Sequence, residues 1–585
     1  MNRLLAIADN KANSAAWDRW RRSHINAIAL GTVALGFVLR VQEAVGTFLN
    51  PDEALHFFIA NRASLHAVYQ ASLTQAHPPL LFFLLYALRP FGNSEFILRL
   101  PSVLAGSLFC WIFFKWLNRI LGPVVALVGL IFATLLPPMI NVTAQVRQYG
   151  LLLVFLISGA WFLESALEKD SPGLMLISAA SLWLAMLSHY SALFFIAAVG
   201  LYAILRILSS ETSISTAITW LAGQIVIVAL AVSLYLTHIS KIKGTSMAEQ
   251  AFDGWLRKSY FHQGSDNALT FLLTRSFSLF QYSFGQLVVG DIVALLFLAG
   301  IVFLLGNKLR STRTRYELAV IFVLPVLLNY AAALRDLYPY GGTRHCVYLT
   351  IFALAVVSAC IVKVARESAV RAIAIAILIV TLCFIFRTNH APYIARADQS
   401  RSNMLHAVTF IREQVSDSDP IFVDYESGIE LGHYLCEQKA VTYDGSIPGF
   451  LVFHCGGNRV ISTIPDVWAF TPTMFLQEFS RLVRVANLKP GQVVWVAEAG
   501  WMVKLDDELR KYSEFHDLKT QAFGNNLRFF TLTVGQPLPP PDATPLRAHH
   551  KPSRPFNSRA VLSSCGTTPA TSVILLMHCR SKLVF

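Results

Sequence analysis

The sequence predicts a polytopic α-helical membrane protein of about eleven transmembrane helices, followed by a small C-terminal extracytoplasmic α/β domain. Of its 585 residues, 55% are hydrophobic and only 14% are charged, whereas a soluble domain carries about a quarter charged residues. Apolar windows of about 20 residues, enough to cross the hydrocarbon core, recur between residues 25 and 386. Beyond residue 400, short apolar runs alternate with helical segments, as in an α/β domain.

The predicted spans follow from apolar windows bounded by turn and charge signals. They cover 25–45, 97–121, 123–141, 148–168, 172–188, 190–208, 215–237, 287–306, 316–334, 345–364 and 369–386. With the N-terminus inside, every cytoplasmic loop carries Lys or Arg, as the positive-inside rule requires. Because the formal charge of +13 is spread between apolar segments, we expect no nucleic-acid partner.

The same pattern predicts the domain organisation. We expect 1–24 to be a cytoplasmic N-terminus, 25–390 the transmembrane domain with a first outer loop at 46–96, 391–536 the extracytoplasmic α/β domain and 537–585 a Pro-rich disordered tail. Within the α/β domain we expect helices at 401–415 and 428–436 and strands at 421–423, 450–453, 459–463 and 492–498. Cys436 and Cys455 both fall there, so a disulfide is permitted, although the sequence does not fix the connectivity.

Two adjacent carboxylates, Asp52 and Glu53, stand where the chain leaves the membrane, in residues 50–56 (NPDEALH). One interpretation is structural: Asn50 is an N-cap, Pro51 fits the first helical position and Glu53 completes a capping box. The other is that the pair carries chemistry. From these residues alone, both interpretations stay open.

Four further motifs follow in order: HPP at 77–79, FGNSE at 91–95, LRLPS at 98–102 and QVRQY at 145–149. With this series the sequence resembles the polytopic GT-C glycosyltransferases, particularly the protein O-mannosyltransferase-like family that includes the aminoarabinose and galacturonic acid transferases acting on lipopolysaccharide. The resemblance covers about residues 20–390, so 25–390 would be the GT-C catalytic domain. Five motifs at the membrane levels that the topology predicts are more specific than any one of them.

The resemblance implies a membrane glycosyltransferase that takes its sugar from a polyprenyl-phosphate donor. Asp52 would be the catalytic general base, acting on the acceptor hydroxyl as it attacks the anomeric carbon with inversion. Glu53 would help to place the acceptor, and Asp52 and Glu53 are the candidate ligands for a divalent metal ion. The departing lipid phosphate needs cations at the membrane surface, and the candidates are Arg147 and the Arg344-His345 pair.

Several of these residues have an ordinary structural alternative. Arg147 could snorkel at a helix end, and residues 340–345 (YGGTRH) could be a simple turn. The remaining substrate-binding candidates are His56, His77 and Tyr149, while His77 and His189 could orient substrate, bind metal or be satisfied polar residues at the interface. The aminoarabinose transferases have lysine where this chain has His77, which leaves the donor sugar open.

Two other classes compete with the glycosyltransferase hypothesis. A transporter would show paired repeats and Gly/Pro-broken helices, whereas the spans are interpreted as mostly uninterrupted. An envelope assembly protein would not need eleven spans as an anchor. Within the enzyme hypothesis we expect a glycan or glycolipid acceptor of lipopolysaccharide type, with protein O-mannosylation as the alternative. The expected location is a bacterial inner membrane, multi-pass in the lipid bilayer, with the site facing the periplasm or cell exterior.

Overall fold

The structure is a computed structural model that describes residues 2–536 and 538, apart from 74, 243–248, 250, 307–312, 387–398, 440 and 502–503. Within these residues, side chains are described from residue 24 onward, except at 253. The tail predicted at 537–585 therefore lies, except for residue 538, outside the described residues. Its disorder stays a prediction.

Among the described residues, eight helices are long and apolar enough to cross a membrane: His24–Gly46, Glu95–Ile120, Tyr149–Lys169, Ala192–Ser209, Ile214–Ile242, Leu287–Leu305, Arg315–Ala333 and Arg344–Val364. Shorter apolar helices cover Leu80–Phe91, Pro123–Leu135, Pro172–Ser188 and Ala369–Ile385. Each of the eleven predicted spans coincides with a helix in one of these two groups. The predicted polytopic helical fold is therefore confirmed.

The helices are numbered in chain order. In the membrane part they are α1 (Asn2–Gly46), α2 (Pro51–Ala60), α3 (Leu65–Ser72), α4 (Leu80–Leu88), α5 (Glu95–Ile120), α6 (Pro123–Leu135), α7 (Pro137–Val142), α8 (Tyr149–Lys169), α9 (Pro172–Ser188), α10 (Ala192–Ser209), α11 (Ile214–Leu234), α12 (Ala268–Phe284), α13 (Leu287–Leu305), α14 (Arg315–Phe322), α15 (Leu324–Ala333), α16 (Thr350–Val364) and α17 (Ala369–Ile385). Helices α2, α3 and α4 lie in the segment 46–96, for which the sequence predicts the first outer loop.

Two of the eleven predicted spans are divided into two helices next to a proline. The span at 123–141 divides into α6 and α7 at Leu136, because Pro137 cannot continue the helical hydrogen bonds. The buried guanidinium of Arg40 caps the broken end: it donates to the carbonyls of Ala133 at 3.0 Å and Thr134 at 3.3 Å. The span at 316–334 likewise divides into α14 and α15 just before Pro325.

The C-terminal domain is a mixed six-stranded sheet with strand order β2-β3-β1-β4-β6-β5. Its elements are α18 (Arg401–Gln414), β1 (Ile421–Val423), α19 (Tyr425–Leu435), β2 (Leu451–Cys455), β3 (Asn458–Ser462), α20 (Pro472–Val485), β4 (Val493–Ala499), α21 (Leu505–Leu509), β5 (Thr520–Ala522) and β6 (Leu527–Thr533). Strand β1 pairs in parallel with both β3 and β4, and the remaining pairs are antiparallel. The predicted α/β character is confirmed; α20, α21, β5 and β6 were not predicted.

The sheet domain contacts the segment 46–96. The Tyr434 hydroxyl accepts a hydrogen bond from the backbone N–H of Leu49 at 2.7 Å, and the Phe57 and His433 rings meet edge to face at 4.6 Å. A disulfide between Cys436 and Cys455 joins the end of α19 to β2, the pairing that the sequence permitted. Helix α19 is thus held against α2, the helix that carries the acidic pair.

Candidate active site at one end of the bundle

The first turn of α2 is set by a capping box. The Asn50 side chain accepts from the backbone N–H of Glu53 at 3.1 Å, and Glu53 Oε2 accepts from the backbone N–H of Asn50 at 3.0 Å. Pro51 occupies the first helical position, where its missing N–H costs nothing. The capping box expected from the structural interpretation is therefore present. It fixes the backbone of Asp52 between Asn50 and Glu53.

Glu53 is also one half of a buried ion pair. Its two oxygens each accept a hydrogen bond from Arg99 at 2.8 Å, and Oε1 additionally accepts from the backbone N–H of Val146 at 2.7 Å. Together with the capping box, each oxygen accepts two hydrogen bonds, which fills its lone pairs. Arg99 further donates to the carbonyls of Ala44, Thr47 and Phe48. The Glu53–Arg99 pair therefore connects four parts of the chain: the end of α1, the start of α2, helix α5 and the backbone at Val146.

Asp52 faces the other way, between two arginines. Arg147 Nη1 lies 3.0 Å from Asp52 Oδ2, and Arg344 forms a second ion pair with the same oxygen. Burial alone would raise the pKa of Asp52, but the charges of Arg147 and Arg344 bring this pKa below its ordinary value. The carboxylate is therefore ionised at neutral pH.

Arg344 reaches Asp52 from a loop that requires glycine. Gly341 has a φ of +113°, and the backbone N–H of Gly342 donates to Ser278 Oγ of α12 at 2.9 Å. A Cβ atom on Gly342 would meet the Ser278 carbonyl oxygen, so a larger residue would push the loop away. The approach to α12 therefore places Arg344 at the start of the 3-10 turn Arg344–Leu349, beside Asp52.

Four buried histidines form a continuous string near Asp52. Their ring centroids are separated by 5.7 Å between His56 and His77, 5.4 Å between His77 and His189, and 6.0 Å between His189 and His345. His56 Nδ1 lies 2.5 Å from the backbone oxygen of Asp52, which places the proton on Nδ1. Burial and the nearby charge of Arg147 lower the pKa of His56 to about 3 and that of His77 well below its ordinary value. Both rings are therefore neutral.

Unpartnered polar atoms are concentrated around this string of histidines. Buried polar groups in proteins are nearly always hydrogen-bonded. Within the described residues, the buried atoms here without a protein partner are His56 Nε2, His77 Nδ1, Arg147 Nε, the Gln148 amide atoms, Tyr149 OH, His189 Nε2 and His345 Nδ1. This concentration indicates a binding site for a polar ligand.

The structure brings all the predicted site residues into one region, with Glu53 behind Asp52 and turned into the protein. Sequence reasoning did not give Gln148 a role, although it lies inside the QVRQY motif. It also missed Trp501, whose ring lies 5.3 Å from the Arg344 guanidinium carbon. Trp501 belongs to the C-terminal domain, and no motif near residue 501 pointed to it.

The residues present do not fit the metal ion expected from the resemblance. Among the described residues, no three His, Cys, Asp or Glu side chains are grouped so that they could hold a metal. Glu53 has its lone pairs filled, and Asp52 Oδ2 faces two guanidinium groups, which repel a cation. Asp52 and Glu53 therefore do not provide the ligands for a divalent ion.

Comparison with known proteins gives one family match. The model of the family described as dolichyl-phosphate-mannose-protein mannosyltransferase matches residues 76–236, less than half of the chain. That segment contains the motifs at 77–79, 91–95, 98–102 and 145–149, so the resemblance inferred from them is confirmed there. No curated protein matches the sequence significantly.

Among solved structures, the Saccharomyces cerevisiae protein O-mannosyltransferase Pmt1-Pmt2 complex bound to the sugar donor shares 16% identity over 38% of this chain, with a TM-score of 0.30; this chain covers only 34% of that one. ArnT from Cupriavidus metallidurans bound to undecaprenyl phosphate shares 14% identity over 88% of this chain and 99% of its own, with a TM-score of 0.49. The Archaeoglobus fulgidus oligosaccharyltransferase complex with Zn and sulfate shares 11% identity over 81% of this chain and 68% of its own, with a TM-score of 0.48.

Proposed function

We propose that the protein is an inverting glycosyltransferase that moves a sugar from a polyprenyl-phosphate donor to an acceptor hydroxyl at the outer membrane face. The observation that carries this proposal is the position of Asp52: an ionised carboxylate held between Arg147 and Arg344 at one end of a helical membrane bundle. A general base and two phosphate-binding cations are the groups that such a transfer requires.

In the proposed reaction, the acceptor hydroxyl donates a hydrogen bond to Asp52 and gives up its proton as its oxygen attacks the anomeric carbon. The bond between that carbon and the phosphate oxygen breaks, and its electron pair leaves with the lipid phosphate. Arg147 and Arg344 stabilise the charge that gathers on this phosphate. The phosphate of the donor is negatively charged. Its binding therefore attracts the guanidinium groups of Arg147 and Arg344 away from Asp52. The pKa of Asp52 then rises, which makes it a better base.

The histidine string is the proposed binding region for the donor sugar. His56, His77, His189 and His345 are buried beside Asp52, and each has one ring nitrogen without a protein partner. Sugar hydroxyl groups can both donate and accept hydrogen bonds, so they complement neutral imidazoles of either tautomer. Gln148 and Tyr149 add the remaining unpartnered groups.

For Glu53 we propose a role in positioning Asp52, in place of the role in placing the acceptor or a metal that the resemblance implied. Its hydrogen bonds all go to Arg99, Asn50 and Val146. Through Val146 it sets the segment that leads directly to Arg147. Glu53 therefore acts by aligning Asp52 with Arg147.

We propose a glycan or glycolipid of lipopolysaccharide type as acceptor, with a protein hydroxyl as the alternative that the family description favours. We place the protein in a bacterial inner membrane with Asp52 on the periplasmic side. The Cys436–Cys455 disulfide supports this orientation, because disulfides persist in oxidising compartments and not in the cytoplasm.

The test is transfer of radiolabelled sugar from a panel of polyprenyl-phosphate sugars by membranes that contain the protein. Lipid A with core oligosaccharide and a Ser/Thr-rich peptide serve as the two acceptor classes. We expect one donor to label the glycolipid with inverted anomeric configuration. Labelling of the peptide instead would select the protein acceptor, and no transfer from any donor by correctly inserted protein would refute the proposal.

A further inference from the structure

The C-terminal domain contributes one exposed aromatic side chain to the wall of the site. Trp501 follows strand β4, and 42% of its surface is exposed, whereas the histidines of the site are buried. The Arg344 guanidinium carbon lies 5.3 Å from its ring centroid, within the range of a cation–π contact. Because Arg344 also pairs with Asp52, Trp501 is one residue removed from the proposed base.

The backbone next to Trp501 packs closely against α2. Gly500 has a φ of +115°, and a Cβ atom there would lie 2.8 Å from Cγ of Pro51, the residue before Asp52. The backbone N–H of Trp501 donates to Glu426 Oε1 of α19 at 2.5 Å. The backbone N–H of Gly500 donates to the Asn526 carbonyl at 3.1 Å. Both the conformation and the lack of a side chain at Gly500 are therefore needed to bring Trp501 to this position.

Glu426 holds the loop as a buried carboxyl group. It is 1% exposed, and burial together with nearby Asp424 raises its pKa well above the ordinary value. In its neutral form it accepts from Trp501 without placing a second negative charge beside Asp52. The Trp501 position is thus specified by the fold and is not an accident of an exposed loop.

The exposure of the side chains separates two approaches to Asp52. The residues Arg147, His56 and His77 are buried, which suits the lipid-linked donor. On the solvent-exposed side, Trp501 is 42% exposed and contacts Arg344, whose side chain is 24% exposed and also pairs with Asp52. The acceptor hydroxyl must come within hydrogen-bond reach of Asp52, and from this side it passes the indole.

We infer that Trp501 forms the acceptor subsite and that its indole stacks on a sugar ring of a glycan acceptor; this inference rests on the proposed transferase function. A pyranose ring combines an apolar C–H face with hydroxyl groups at its edge. The flat indole matches the apolar face, and the hydroxyl groups at the edge of the ring face away from the stacking contact. Trp501 is therefore a residue that determines acceptor specificity.

The experiment compares Trp501→Ala and Trp501→Phe with wild type and with Trp255→Ala, which removes another exposed tryptophan, 57% exposed, from the segment Ala251–Trp255. The full chain in nanodiscs is used for two measurements. One is equilibrium binding of a radiolabelled glucosamine disaccharide bisphosphate. The other is KM for acceptor and donor separately. Thermal unfolding of each variant verifies the fold.

We expect Trp501→Ala to weaken disaccharide binding and raise the acceptor KM by about tenfold, as loss of one aromatic stacking contact implies, with the donor KM unchanged. Trp501→Phe should restore most of the loss, and Trp255→Ala should match wild type. Wild-type affinity in Trp501→Ala, a change in donor KM alone, no disaccharide binding by wild type, or displacement of the disaccharide by a Ser/Thr peptide would each overturn the inference. Disaccharide binding that depends on Trp501 in a protein without transferase activity would support the inference and refute the proposed function.

Discussion

Arg147 Nη1 lies 3.0 Å from Oδ2 of Asp52 in a region where the arginine side chain is only 3% exposed. The contact joins the first turn of α2 to the turn before α8, which are 95 positions apart in the chain. A buried charge pair is stable only when both partners are present. The contact therefore fixes the geometry of the proposed base and of one phosphate-binding cation at the same time.

Replacing Arg147 with Gln should raise the donor KM by about 10- to 100-fold, since a hydrogen bond to a charged group contributes about 1.5–3 kcal/mol. Arg344→Gln should have a smaller effect, because the Arg344 side chain is 24% exposed and partly screened by water. Donor saturation curves measure both. Arg412→Gln is the control, since Arg412 and its partner Glu437 are both exposed. Equal curves for all three variants would refute the phosphate-binding role.

The positioning role of Glu53 predicts that its loss acts through stability. Glu53→Gln should lower the free energy of unfolding by about 3–5 kcal/mol, because it leaves the buried Arg99 without its counter-ion. The double variant Glu53→Gln with Arg99→Met should recover part of this loss. Thermal unfolding in detergent of wild type, Glu53→Gln, Arg99→Met and the double variant tests this double-mutant cycle. A stable Glu53→Gln protein that is inactive would instead point to direct participation in the reaction.

Protonation of His56 predicts an acid-sensitive fold. An unfolded histidine binds a proton below about pH 6.5, whereas the folded pKa of about 3 keeps His56 neutral. Stability from this residue is therefore complete above pH 6.5 and falls by about 1.4 kcal/mol per pH unit as the pH decreases toward 3. Between pH 7.5 and pH 5, wild type should lose about 2 kcal/mol more of its free energy of unfolding than His56→Gln loses. Identical pH profiles of unfolding for the two proteins would contradict the buried neutral state.

The disulfide between Cys436 and Cys455 should make a measurable contribution to the stability of the C-terminal domain. Cys436 and Cys455 are separated by 19 residues in sequence, and closing a loop of this size contributes about 3 kcal/mol. Replacing both cysteines with serine should lower the unfolding temperature. A reductant should lower that of wild type but leave the double variant unchanged. Two free thiols in the protein isolated from an oxidising compartment would contradict the pairing.

Local signals made most of the membrane part and the site predictable. The capping box at Asn50 and Glu53, the apolar windows and the motif around Arg147 each depend on residues close in sequence. The break at Pro137 was missed because the apolar composition continues through it, and only the tertiary partner Arg40 shows how the freed carbonyls are satisfied. Trp501 could not be predicted, since its contact with Arg344 arises from docking of the sheet domain on α2.

The most direct test of the central claim is sugar transfer by Asp52→Asn compared with wild type, with binding of polyprenyl phosphate measured in the same preparations. Loss of a general base lowers kcat by about 10²- to 10⁴-fold. The substitution also frees Arg147 and Arg344, so the lipid phosphate should bind at least as tightly as to wild type. Transfer within about threefold of wild type by the folded Asp52→Asn protein would contradict the account.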